Sequence, residues 1–266
     1  MPKYAELDWY ETPRWYDAIF DADTPQEVDF LEEVFEKHAD CDLGRRKPKV
    51  LEPACGSGRL MVEMGKRGWS VAGFDLSKPM LDYARDRLRA NGLRGKLAVG
   101  ALEGFDLGTG YHLAHCLVCT FQYVNSEQGA QSHLRDVAKA LAPGGVYVLG
   151  FHLSDYTDDR VARERWTAKA EGKDVICTIQ GWPADKKTRT EQVRSRLRVV
   201  AKDGSEERSE TKWTFRSYDA RQVRRMLKGV PELELVATYD FCYDIDDPRK
   251  LDDEQLDLVL ILRKRA

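Results

Sequence analysis

No stretch of the 266-residue chain approaches about eighteen consecutive apolar residues, so nothing in it reads as a membrane-spanning helix. Its first residues, MPKYAELDWYETPRWYDAIFDAD, are charged throughout and lack the apolar run of a signal peptide, so a cytoplasmic protein is expected. Neither sign of charge dominates: 42 Lys and Arg stand against 45 Asp and Glu, a net charge of −3. Nucleic acid and anionic membranes select a positive excess, and this balance gives no electrostatic reason to expect either. Cysteine is sparse and badly spaced for metal. Cys41, Cys55, Cys116, Cys119, Cys177 and Cys242 include one C-x-x-C, and no second Cys or His pair lies at zinc spacing. AHCLVCTF reads as a strand, in which Cys116 and Cys119 point to opposite faces. Reduced, buried thiols and no metal site are expected.

What the chain does hold is a core. Hydrophobic residues make up 42% and aromatic residues 10%, enough for a sizeable interior and too much for global disorder. From about Lys49 to Leu153 short apolar runs alternate with helical patterns. KVLEPA reads as a strand, GRLMVEMGKRG as a helix closed by Gly68, and WSVAGFD as the second strand. SKPMLDYARDRLRANG reads as a helix with Ser77 as N-cap and Gly92 as its stop. KLAVG and HLAHCLVCTF follow as strands three and four. SEQGAQSHLRDVAKALAPGG then gives a helix ending at Pro143-Gly144-Gly145, and VYVLGFHL the fifth strand. Such alternation predicts an α/β fold: parallel strands joined by helical crossovers, with helices on both faces.

The pattern changes after about Ser154. DVICTIQGW, TEQVRSRLRVVAK and ERSETKWTF are strand-like runs joined by turn residues such as Lys202-Asp203-Gly204-Ser205. In the second run Val193, Ser195, Leu197 and Val199 fall on one face, and Arg194, Arg196 and Arg198 on the other. That suits an antiparallel sheet with one covered side. Neighbouring DGSEERSE supplies acids to pair across strands, so the basic run reads as a solvated sheet face rather than a nucleic-acid groove. YDARQVRRMLKG is a helix, followed by the strands LELVATYDFCYD and LDLVLILRKR. The expected division is a helical lid segment over 1–48, an α/β core over 49–154, an antiparallel insertion over 155–216, and the last helix and two core strands over 217–266.

VLEPACGSGRL, residues 50–60, is the segment most suggestive of a ligand. After an apolar strand, Gly56 and Gly58 let backbone approach a ligand, and the helix beginning there offers unpaired N–H groups to an anion. A dinucleotide fingerprint wants a third glycine, where this chain has Met61. Asp75 closes the second strand, where an acid accepts hydrogen bonds from a ribose diol. The ordered run E-x-A-C-G-S-G, G-F-D-L-S and L-x-P-G-G resembles the class I S-adenosylmethionine (SAM)-dependent methyltransferases. The likeness covers about Tyr10 to Phe151 plus the last helix and two strands. It implies a Rossmann-like sheet of seven strands, with the antiparallel β insertion following strand five.

The resemblance also implies roles. Glu52 matches the acid that meets the cofactor's amino group, and Gly56 and Gly58 lie under its methionine portion. Asp75 matches the ribose acid, with Leu76 and Met80 beside the adenine, and Ala101, Leu102 and Glu103 match the segment at the adenine edge. Tyr10, Tyr16, Ala54 and Cys119 complete the expected cofactor contacts. Two positions depart from the family: Ala101 stands where an Asp is usual, leaving Glu103 as the nearest substitute, and His112 stands where strand four usually begins with Asp.

Methyl transfer from a sulfonium is an in-line displacement, so catalysis can rest on positioning alone. His152, at the end of strand five, Tyr16, in an N-terminal helix resembling the family's cofactor-closing one, and Tyr123, after strand four, are the candidate catalytic residues. His115 and His133 read as strand and helix residues without a role. The expected reaction is methylation of an N or O atom of a small molecule, the insertion shaping the acceptor pocket or a homodimer contact. The alternatives are an RNA or protein methyltransferase using the basic insertion, a SAM- or nucleotide-binding module without transfer activity, and a dehydrogenase on the same fold.

Overall fold

Strands covered on both faces read as unbroken apolar runs, and every residue from Val146 to Phe151 is buried. The computed structural model describes residues 4–265. In chain order its first elements are β1 (Ala5–Glu6), α1 (Pro13–Phe20), α2 (Thr24–His38), β2 (Lys49–Pro53) and α3 (Arg59–Lys66). Next come β3 (Ser70–Asp75), α4 (Lys78–Ala90), β4 (Gly95–Val99), β5 (Tyr111–Cys116), α5 (Glu127–Ala140) and β6 (Leu141–His152). Four long strands follow: β7 (Ala162–Ala170), β8 (Lys173–Gly181), β9 (Thr190–Val200) and β10 (Glu206–Arg216). The chain closes with α6 (Ala220–Lys228), β11 (Leu233–Tyr239) and β12 (Asp257–Lys264).

The main sheet runs β11-β12-β6-β5-β2-β3-β4. Strands β2 to β6 pair in parallel, and β12 is antiparallel to both neighbours. The chain therefore leaves β2 for β3 and β4 on one side and returns to β5 and β6 on the other. In open α/β sheets such a switch is where ligands bind, here beyond the C-terminal ends of β2 and β5. This is the Rossmann-like seven-stranded sheet expected. The missing third glycine has a structural counterpart. Met61 on α3 is buried, and a Cβ on Gly73 of β3 would stand 2.9 Å from its sulfur. Gly95 of β4 leaves similar room for its methyl group, so the space that a helix glycine would leave is supplied by the strands instead.

A second sheet, β1-β10-β9-β8-β7, is built from the four strands between Ala162 and Arg216 with β1 at its edge. Its inner face, including Val175, Cys177, Leu197 and Val199, packs against Trp9 and Trp15 from the N-terminal segment. Two features differ from expectation. Strand four stops at Cys116, because Val118 and Cys119 turn left-handed (φ 55° and 65°) into a short helical turn at Thr120–Tyr123. Cys116 and Cys119 thus do not share a strand. LAPGG does not end a helix but opens β6, where Gly144 (φ +74°) lies against the backbone of Asp40.

The arginine face is tied down by its own sheet. Arg196 Nε lies 2.7 Å from Glu210 Oε2, Arg198 Nη2 lies 2.9 Å from Glu206 Oε2, and Arg194 donates to Gln180 Oε1 at 2.6 Å. Changing Arg194, Arg196 and Arg198 together to Gln is expected to shift stability by about 0–1 kcal/mol per pair in denaturant titrations. RNA binding should be negligible before and after. Tight RNA binding that falls steeply with salt and vanishes in the triple variant would overturn the solvated-face reading.

Candidate functional site

The backbone is most strained where β2 and β5 end. Ala54 (φ 54°), Gly56 (φ 50°) and Gly58 (φ 70°) follow β2, and Val118 and Cys119 follow β5. Left-handed φ values on non-glycine residues, above all β-branched Val118, are costly and cluster at sites that ligands use. Open space lies where a Cβ on Gly56 would project, whereas Gly58 packs so closely on α4 that a Cβ would stand 2.9 Å from that of Ala84. Gly56 is thus free above, and Gly58 is fixed below.

Asp75 faces this turn. Its carboxylate accepts the Gly56 N–H at 2.9 Å and the Ser77 N–H at 2.8 Å. Burial raises its pKa against the pull of these donors. A carboxylate has about four acceptor positions, so capacity for two hydroxyls remains. Leu76, just after β3, and Val99, the last residue of β4, are 72% and 68% exposed. Val99 is the register partner of Asp75, so an exposed apolar side chain able to carry a flat ring stands beside the carboxylate.

Beneath the turn, burial pushes the Glu52 carboxyl up to about 8, with Arg59 opposing. Its Oε2 has no hydrogen-bond partner among the described residues, and neither does either ring nitrogen of His115, 4.0 Å away. A buried, unpartnered carboxylate oxygen fits a ligand amino group. The open Gly56, the placed Asp75 and this orphaned oxygen together suit a nucleoside carrying a cationic amine.

The remaining expected residues are distributed unevenly. Met80 is fully buried in the core. Leu102 packs against the main core, and its carbonyl accepts from His133 Nδ1 at 2.8 Å. His133, whose pKa burial lowers to about 4, faces the Tyr147 hydroxyl with its other nitrogen at 2.7 Å, which is a structural role. Glu103 Oε1 occupies the space that a Cβ on Gly129 would take in the first turn of α5. His112 accepts the Lys49 N–H at 2.9 Å, bracing the start of β2.

The N-terminal segment closes over the turn. Asp17 on α1 accepts Ser57 Oγ at 2.7 Å and the Tyr83 hydroxyl at 3.2 Å, and also pairs with Arg87. The Tyr10 carbonyl accepts Ser77 Oγ at 3.1 Å, and its hydroxyl lies 2.9 Å from that of Tyr123. Tyr10, Tyr16, Cys119 and Tyr123 line a cavity of about 450 Å³ between the two sheets. Burial raises the pKa of Tyr16 to about 12 and carries Tyr10 and Tyr123 well upward. These phenols are neutral hydrogen-bonding groups and not bases.

His152 also lines the cavity, with Nδ1 2.7 Å from Asp257 Oδ1. Burial favours the neutral ring, but the Asp257 carboxylate and Cys119 outweigh it and hold the imidazole protonated well above its ordinary range. That state makes this candidate catalytic residue a proton donor. Sequence reasoning missed Val99, Asp257 and Glu191, the last also a cavity residue. The signal for Glu191 was present, because it falls on the Val193–Val199 face of its strand.

The methyltransferase domain family matches residues 50–145. That span holds the strained glycine turn, Asp75 and the switch between β2 and β5. Over those residues the chain is similar to a methyltransferase domain.

Among relatives, a dTDP-4-amino-2,3,4,6-tetradeoxy-D-glucose N,N-dimethyltransferase of Saccharopolyspora spinosa is 31% identical over 100 residues, 38% of this chain and 39% of that one. A putative methyltransferase of Bacillus subtilis is 26% identical over 111 residues, 41% of this chain and 44% of the relative. The chain thus spans less than half the length of these relatives. The fold extends further. A SAM-dependent methyltransferase from Clostridium acetobutylicum superposes with a TM-score of 0.75 at 18% identity, covering 98% of this chain and 100% of the other. The methyltransferase likeness in fold therefore includes the N-terminal segment and the second sheet.

Proposed function

We propose that the chain transfers a methyl group from SAM to an N or O atom of a small-molecule acceptor. The carrying observation is the cavity of about 450 Å³, whose wall residue Tyr10 also contacts Ser77 beside Asp75. That volume suits a small molecule rather than a polymer. The sugar N,N-dimethyltransferase among the relatives supports such an acceptor. SAM supplies an activated methyl group that leaves with its own neutral thioether.

In this reading Asp75 takes the ribose diol, Leu76 and Val99 carry the adenine, and Glu52 receives the amino group. Gly56 leaves the backbone open beneath the methionine portion. Tyr10, Tyr16 and Tyr123 close the sulfonium off from water and orient the acceptor. Alignment of donor and acceptor can account for about 7–11 kcal/mol of the barrier, which makes a dedicated base unnecessary for a neutral amine.

Calorimetric titration with SAM, S-adenosylhomocysteine and NAD tests the reading. SAM and its product are expected to bind and NAD to give no heat. Binding of NAD alone would replace methyl transfer with hydride transfer.

A further inference from the structure

Alternation along β9 sets Glu191, Val193, Ser195, Leu197 and Val199 on the face turned toward the cavity and the N-terminal aromatic cluster. Four of the five are apolar or small, as that face requires. Glu191 is the exception, and it stands at the cavity end of the row. Phe215 is its register partner on β10, and its Oε1 bends over Gly181, lying 2.8 Å from where a Cβ there would be.

Two other charged pairs at the cavity are closed, while Arg163 and the exposed Glu164 line it from β7 without an ion pair among the described residues. Asp257 holds His152, and Asp158 holds Arg160 at 2.7 Å. Arg163 falls on the opposite face of β7 from Glu164. Glu191 has neither a hydrogen bond nor an ion pair among the described residues, and burial raises its pKa, with only the charge of His152 opposing. Its register partner Phe215 meets Tyr123 edge-on at 4.9 Å, and Trp182 and Trp213 line the same cavity. A lone half-buried carboxylate among aromatic faces is an environment for a cation: the acid supplies the charge and the rings supply their negative faces. It repels an acceptor that is itself anionic at the same point.

We propose that Glu191 is the specificity-determining residue of the acceptor site and selects a small, ring-bearing molecule with an amine, which it binds through a charge-assisted hydrogen bond. The inference rests on the methyltransferase reading and narrows its acceptor from N or O to N. Glu191 thereby holds the nitrogen on the side of the cavity walled by Tyr123 and Trp213. Gly181 is part of the device, because any side chain there would displace the carboxylate.

The test uses the full chain saturated with S-adenosylhomocysteine and three pairs of probes: benzylamine against benzyl alcohol, cyclohexylamine against cyclohexanol, and glucosamine against glucose. Binding is read by the fluorescence of the cavity tryptophans and by ligand-observed NMR. At least one amine is expected to bind about tenfold or more tightly than its hydroxyl partner, the strength of a hydrogen bond to a charged group. Glu191→Gln should reduce that preference several-fold while leaving S-adenosylhomocysteine affinity unchanged. Gly181→Ala keeps the charge but pushes the carboxylate aside, and should reduce the preference in the same direction. That second variant decides the matter if Glu191→Gln fails to fold. Absence of any amine preference in the native chain, or a preference that survives both variants, would overturn the proposal. Loss of S-adenosylhomocysteine binding by the unaltered chain would instead overturn the methyltransferase reading on which it rests.

Discussion

Asp75→Ala is expected to weaken SAM binding about tenfold to a hundredfold, which corresponds to about 1.5–3 kcal/mol for the hydrogen bonds of a ribose diol to a carboxylate. The structure gives this substitution a second consequence. The same carboxylate accepts the N–H groups of Gly56 and Ser77, so it sets the glycine turn as well as facing the ligand. Asp75→Asn separates the two effects. Its carbonyl oxygen can keep one backbone donor, but its amide NH2 must face either the other N–H or the ligand hydroxyls. The asparagine variant should therefore retain more thermal stability than the alanine variant while losing comparable affinity. Isothermal titration of each folded variant checks the expectation. An unchanged dissociation constant in Asp75→Ala would remove the ribose role from Asp75.

The α/β core was legible because its elements obey strong local rules. Ser77 caps α4 by accepting the Met80 N–H, and every residue from Val146 to Phe151 is buried, so sequence periodicity and structure coincide there. The glycine turn was legible for a different reason, since left-handed backbone at Gly56 and Gly58 demands the residue that the sequence displays. Strand β7 was not legible. Its inward row is Ala162, Glu164, Trp166, Ala168 and Ala170, with one large apolar residue to mark it. The end of strand four misled because Val118 and Cys119 favour strand by type and adopt left-handed backbone in fact. At the candidate site, side-chain types indicated contacts that depend on placement. Met80 is apolar and close to Asp75 in sequence, and in the fold it is fully buried. His152 titrates near neutrality as a free residue, yet Asp257, more than a hundred positions later, changes its protonation. Pairings of that kind are set by the sheet register of β6 with β12, which no local pattern encodes.

Glu27→Ala is expected to destabilise the protein by about 3–5 kcal/mol, the cost of leaving one member of a buried ion pair alone. Glu27 on α2 and Arg59 on α3 have side chains only 5% and 11% exposed, and they pair through both guanidinium nitrogens. Arg59 also donates to Thr24 Oγ1 at 3.0 Å, so it joins the start of α2 to the residue that follows Gly58. Its position makes the partner more necessary. A cation in the first turn of a helix opposes the macrodipole, and Glu27 supplies the compensating charge. With Glu27 gone, the guanidinium is left in a closed space with Thr24 as its remaining hydrogen-bond partner. The penalty belongs to the abandoned charge more than to the lost bond, which fixes the outcome of a double-mutant cycle. Glu27→Ala combined with Arg59→Met should be more stable than Glu27→Ala alone, because methionine fills much of the stem volume without the charge. Urea unfolding of the four proteins reads the cycle directly. If Glu27→Ala lies within about 1 kcal/mol of the unaltered chain, the pair is effectively solvated and α2 is held to the glycine turn by its apolar face. A loss in the expected range would place the anchoring of the N-terminal segment on this pair.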